Sequence, residues 1–130
     1  MPNVNVRIAT TGGIHKVTIS PQRLRIPNGS TNVVITWRAS NGTTFLTGTD
    51  AFQWINPSTV LPPPNVTRTN DTTLTSDAYT NNTSVEVIWE YMLGVEKDGV
   101  KIQVDPEVDN DPPRPIGDDE RVGSGTVIES

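Results

Sequence analysis

The feature that most constrains the fold is a strict alternation of apolar and polar residues late in the chain. In "SVEVIWEYMLGVEKDGVKIQV", residues 84–104, one face of the first half carries only apolar side chains. These are Val85, Val87, Trp89, Tyr91, Leu93 and Val95. Side chains two residues apart share a face of a β-strand, and "KDG" at 97–99 is a turn in which Gly99 can adopt positive φ. The alternation resumes over 100–104, so the segment predicts a β-hairpin.

The same alternation recurs through the first half of the chain, in "NVNVRIA", "HKVTIS", "RLRI" and "NVVITWRA". Residues 56–83 lose it and predict a long loop region with one or two short strands near 65–69 and 72–76. The chain is rich in Thr and Asn and contains eleven Pro and ten Gly, a composition typical of a β protein with many turns. We therefore expect an all-β fold, an antiparallel two-sheet β-sandwich of immunoglobulin-like or cupredoxin-like type with about seven to nine strands.

Length, charge and cysteine content exclude several functional classes. A chain of 130 residues is one domain by size, and it has no Cys and a single His, His15. Blue-copper sites use two His and a Cys, so we expect no copper and no other cofactor. A net charge of −5 argues against nucleic acid and anionic membranes as partners. The first residues do not resemble a secretory signal, which favours a cytoplasmic protein.

Acid–base chemistry finds little support in the sequence. His15 has no Cys or second His to work with, and a structural or surface role is expected for it. Glu86 and Glu90 share a strand face at a separation of roughly 13 Å by strand rise, too far for a glycosidase pair. We therefore do not expect an enzyme.

An acidic segment follows the hairpin, in "KIQVDPEVDNDPPRP" at 101–115. Its acids stand two residues apart, at Asp105, Glu107, Asp109 and Asp111. Oxygen ligands at this spacing suit calcium, but the Gly and Glu that an EF-hand loop needs further on are missing. The favoured interpretation is a domain end, with charges and prolines that discourage further strand pairing. This predicts a metal-free sandwich over 1–104 and an acidic, proline-rich, partly flexible tail over 105–130.

The closing "WEYMLGVEKDGVKIQVDPEVDNDP" resembles the small bacterial DP-EP family, named for an Asp-Pro and a Glu-Pro near the chain end. The matching positions are Asp105-Pro106 and then Glu107, which is followed by Val108 instead of proline. The resemblance covers about the last forty residues by motif and the remainder by strand layout only. It implies a cupredoxin-like or immunoglobulin-like sandwich and no known activity.

The sequence therefore predicts a non-catalytic binding or structural module. Partner surfaces are expected at Trp54, in a weak strand beside the long loop, and at Val127 and Ile128. Residues 112–121 are expected to form a mobile connector, and 125–129 to dock as an added strand on the same molecule or on a second copy. The partner is then an unknown protein, or a second copy bound through an edge strand. The alternative function is a calcium-dependent adhesion-type or phage-structural domain that uses the acids of 105–111.

Overall fold

The computed structural model describes residues 2–113, and these form an all-β fold. Within this range the regular structure is eleven strands and a short 3₁₀ turn, Gly48–Asp50. The strands are β1 (Asn3–Thr11), β2 (Ile14–Ser20), β3 (Arg23–Ile26), β4 (Thr36–Ser40), β5 (Thr44–Phe45), β6 (Phe52–Ile55), β7 (Val66–Asn70), β8 (Thr73–Ser76), β9 (Val87–Lys97), β10 (Val100–Val104) and β11 (Glu107–Asn110). They build two mixed sheets that share one core in a sandwich-like arrangement.

The first sheet has the strand order β2-β1-β4-β8-β7. Its β1–β2 hairpin keeps one register from end to end. The turn consists of Gly12 and Gly13, with φ of 58° and 81°, where a side chain would be strained. β4 runs parallel to β1 on the other side. β8 and β7 continue the sheet antiparallel, close to the positions where one or two short strands were expected in the loop region.

The second sheet is built around β9, which pairs with four other strands. Its first half pairs with β11 and β6, and its second half with β10 and β5. Val104 lies opposite Leu93 and Glu107 opposite Glu90, so β10 and β11 follow β9 in one unbroken register. The strand is interrupted at Pro106, which has no N–H to donate to a ladder. β3 pairs with β11 in parallel and forms the outer edge.

The core lies between the sheets and is filled by the inward faces of their strands. Trp37 from β4 and Tyr91 from β9 are both fully buried there. The predicted inward face of the C-terminal hairpin is confirmed from Val87 to Val95. Val85 was expected on the same face but is 52% exposed, because β9 begins only at Val87.

The fold differs from the prediction in strand direction and strand number. Two pairs, β1 with β4 and β3 with β11, are parallel, so an antiparallel sandwich was the wrong description. The strands number eleven within residues 2–113, because β5, β6, β10 and β11 are short stretches along one partner, β9. β11 also carries the second sheet beyond the domain end expected after Val104. No helix in the described part of the chain is long and apolar enough to cross a membrane.

Candidate functional site

The acidic segment is an interior strand of the second sheet. β11 has β9 on one side and β3 on the other, so strand alternation gives its residues two different environments. Val108 and Asn110 point into the core and are fully buried. Asp109 and Asp111 point to the outer face of the sheet, yet they too are buried. Neighbouring side chains, not solvent, therefore surround these two carboxylates.

Two arginines from the parallel neighbour β3 cover these acids. Arg23 Nη2 lies 3.0 Å from Asp109 Oδ2, and Arg23 Nε lies 3.6 Å from Glu107 Oε1. Arg25 Nη2 donates to Asp111 Oδ1 over 3.0 Å. Because residues of β3 alternate like those of β11, both guanidinium groups reach the same outer face. Alternation along "RLRI" is enough to place Arg23 and Arg25 on one face of a strand, but their partners follow only from the pairing of β3 with β11.

Glu86 completes the group from the residue just before β9. Its Oε2 lies 3.8 Å from Arg23 Nη2, and its side chain is 48% exposed. One carboxylate oxygen from each of Glu86, Asp109 and Asp111 lies within 4.8 Å of the other two. We call Arg23, Arg25, Glu86, Glu107, Asp109 and Asp111 the carboxylate–arginine cluster.

The six members of the cluster include more carboxylates than guanidinium groups, and three of their buried atoms lack a hydrogen-bond partner among residues 2–113. The cluster holds four carboxylates against two guanidinium groups, which leaves two negative charges in excess when all are ionised. Asp109 Oδ1 is buried and has no hydrogen-bond donor among residues 2–113, and the same range offers no acceptor to the buried Nε atoms of Arg23 and Arg25. Burial, and next the neighbouring Glu86, raise the pKa of Asp109 to about 6. The ionised form of Asp109 is thus disfavoured, despite the salt bridge from Arg23.

A polar network behind β11 holds the strand in position. Asn110 accepts a hydrogen bond from the Tyr79 hydroxyl at 2.7 Å and donates to the Val87 carbonyl. The Asp111 carbonyl accepts from the side-chain amides of Asn28 and Asn81. Buried polar groups need such partners, and these fix where the carboxylates of Asp109 and Asp111 lie.

The acids expected to act together are only partly brought together. The carboxylates of Asp109 and Asp111 lie close together, and Glu107 is linked to them through Arg23. Asp105 is exposed and lies outside the cluster. Glu86, which spacing along the chain could not connect to them, is the third carboxylate. The only sequence signal for it is its place at the start of the strand that leads into the hairpin.

The other predicted residues lie elsewhere. Trp54 is half-buried, packs against Phe52 and Trp89, and donates its indole N–H to the Pro64 carbonyl at 2.8 Å. His15 is exposed, with Nδ1 at 2.8 Å from the Thr10 hydroxyl. Val127 and Ile128 lie outside the described residues, as do 114–121 of the expected connector and the 125–129 docking segment.

Searches among known proteins add nothing to this picture. No protein-family model matches the chain, and a search of curated proteins finds no match either.

Proposed function

We propose that the chain is a non-catalytic β-sandwich module that binds protein in extended conformation along the free edge of β2, with a second copy of itself as the partner. In this proposal the sandwich is of immunoglobulin-like or cupredoxin-like type, as the resemblance to the DP-EP family implies. The protein acts in the cytoplasm, without nucleic acid or membrane as a partner.

The observation that carries the proposal is the state of the β2 edge. β2 lies at the end of its sheet, and no strand of residues 2–113 pairs with its outer side. It has seven residues, no proline and no register shift, and Lys16 is its one Lys, Arg, Asp or Glu. Such an edge presents a row of unpaired backbone N–H and C=O groups to another strand.

Two other edge strands, β7 and β3, are protected in ways that β2 is not. β7, at the opposite edge of the same sheet, has a register shift between Arg68 and Asn70. β3 has only four residues, two of which are the arginines of the cluster. Bulges, charges and short length are the usual devices against edge pairing. Ile14 adds an apolar side chain, 66% exposed, at the tip of the β2 edge.

A second copy suits this edge because β2 can pair antiparallel with β2 of another molecule. A two-fold axis between the two β2 strands then relates the two copies, so each copy contributes the same residues to the contact, as in most homodimers. One Lys per strand gives little like-charge repulsion, although the whole chain carries −5.

Size-exclusion chromatography with light scattering tests the proposal. We expect the full chain to dimerise at concentrations of about 100 µM, in the range of weak edge contacts. The double variant Ile14→Lys with Thr18→Lys should be monomeric, because lysines on an edge oppose pairing. Thr67→Lys with Thr69→Lys, on the opposite edge of the same sheet, is the matched control and should still dimerise. A monomeric wild type, or a dimer that survives the β2 lysines, would contradict the proposal.

A chain ending at Pro113 distinguishes the two segments that could pair with the β2 edge, which are β2 of a second copy and residues 114–130. If the dimer persists, β2 pairs with β2 as proposed. If it is lost while the β2 lysines also abolish it, the added strand comes from residues 114–130, and the second-copy β2 pairing is wrong.

A further inference from the structure

We propose that Glu86, Asp109 and Asp111 form a binding site for one hard divalent cation of the calcium type. The proposal is independent of the β2 edge, which lies in the other sheet.

The spacing of the three carboxylates suits one central ion. Calcium binds oxygen ligands at about 2.3–2.6 Å, so two ligands on opposite sides of one ion are roughly 4.6–5.2 Å apart. The three oxygens lie within 4.8 Å of one another. A single ion can therefore contact all three without any movement of the strands.

Asp109 gives the second and independent indication. Its side chain is 2% exposed, and its Oδ2 is engaged by Arg23 at 3.0 Å. Oδ1 is buried without a hydrogen-bond donor from residues 2–113. An ionised oxygen removed from water without a partner costs free energy, and native proteins supply it with a donor or a metal. An ion held by the three carboxylates supplies that missing partner.

The charges in the cluster favour a divalent cation over an anion or an ammonium group. The nearest groups that could attract an anion, Arg23 and Arg25, are already paired with Asp109 and Asp111. Three carboxylates, by contrast, converge on one point, and hard divalent cations bind such oxygen ligands. The arginines meanwhile hold the two aspartates in place from the side of β3.

The mixture of fixed and mobile ligands favours calcium over magnesium. Asp109 and Asp111 are buried in a paired strand, whereas Glu86 is 48% exposed and precedes its strand. Calcium accepts irregular coordination completed by water, and magnesium requires a nearly ideal octahedron. The exposed side of Glu86 also gives the ion its route from solvent.

Isothermal titration of the EDTA-treated full chain with CaCl₂ at pH 7.5, with ionic strength held constant by NaCl, tests the site. We expect one saturable site with a Kd on the order of 10⁻⁴ M, and a melting temperature that rises by several degrees in millimolar calcium. Glu86→Gln and Asp109→Asn should each weaken binding at least tenfold. Asp105→Asn, which removes an acid of the same segment outside the cluster, should bind like the wild type.

Glu86→Gln is the most informative variant, because this exposed side chain can be changed without disturbing the fold. If the wild type shows neither saturable heat nor a calcium-dependent melting temperature at 10 mM, on the order of a hundred times that Kd, the site does not exist. Binding that Glu86→Gln leaves unchanged would equally overturn the proposal, since the ion would then lie elsewhere.

Discussion

Trp37 and Tyr91 hydrogen-bond to each other across the sandwich. The indole N–H of Trp37, in β4 of the first sheet, donates to the hydroxyl of Tyr91, in β9 of the second, over 3.0 Å. Both side chains are fully buried, and their rings meet edge to face at a centroid distance of 5.6 Å. The pair therefore joins the two sheets by one polar and one aromatic contact at the centre of the core.

Removal of the Tyr91 hydroxyl should lower stability through the donor that is left behind. In Tyr91→Phe the buried Trp37 N–H loses its acceptor, and we expect a loss of about 1–3 kcal/mol in the free energy of unfolding. Urea denaturation followed by tryptophan fluorescence measures it. A loss below about 0.5 kcal/mol, the range of ordinary surface changes, would mean that the bond contributes little to stability.

The tryptophans should differ in the cost of their removal. Trp37→Ala empties a fully buried site and should cost about 3–5 kcal/mol. Trp54→Ala should cost clearly less, because Trp54 is only half-buried. Chemical denaturation of both variants compares them, and equal losses would show that Trp54 is as much a part of the core as Trp37.

Gly94 should not tolerate a side chain. A Cβ at this position would collide with the Asp50 carbonyl oxygen and lie 2.9 Å from Leu46 Cδ1. Gly94→Ala must displace backbone, and we expect a loss of about 1–3 kcal/mol or more. Gln103→Ala, at the exposed position paired with Gly94 on β10, is the control and should change stability little. Thermal unfolding of the two variants distinguishes a local clash from a general sensitivity of this hairpin.

Asp109 should make stability depend on pH in the sense opposite to an ordinary salt-bridged acid. Its pKa is raised from 3.8 to about 6, so between these values the folded state binds more protons than the unfolded state. The free energy of unfolding contributed by this group is therefore highest below pH 3.8 and falls as pH rises through about 6. The charged groups that act on Asp109 are Glu86, Arg23 and Asp111, and Arg25 lies opposite it in the register of β3 and β11.

Asp109→Asn removes this titration, so the difference between variant and wild type isolates it. In EDTA, the stability of the wild type relative to Asp109→Asn should decrease from pH 4.5 to pH 7.5, that is, across the raised value of about 6. Urea denaturation at a series of pH values measures the difference. If the free energy of unfolding of the wild type instead increased relative to that of the variant over this interval, Arg23 would control the ionisation of Asp109 more strongly than burial does.

Local patterns were enough to predict the all-β class and several elements. The alternation from Val87 to Val104 predicted the β9–β10 hairpin, and its turn has positive φ at both Asp98 and Gly99. The strands expected near 65–69 and 72–76 are β7 and β8, displaced by about one residue. In each case the partner strand is close in sequence, so periodicity and turn residues carry the information.

The cluster could not be predicted because it depends on pairing between distant segments. Arg25 and Asp111 are 86 residues apart in the chain and meet only because β3 joins β11 in parallel. Acids at alternate positions of a terminal segment usually face solvent, and the proline at 106 suggested that the sheet had ended. Pro106 instead interrupts a strand that resumes at Glu107, where arginines cover the outer face.

Hydrogen exchange of the backbone amides in β11 tests most directly whether the acidic segment is an interior strand that carries this cluster. The Glu107 N–H donates to the Gln22 carbonyl and the Asp111 N–H to the Ile26 carbonyl, each at 3.0 Å. In EDTA, without calcium, amides of 107–111 should exchange as slowly as those of 93–96 in β9, because both segments have hydrogen-bond partners on two sides. Exchange of 107–111 within seconds, at the rate of an open chain, would contradict the interior strand and with it the carboxylate–arginine cluster.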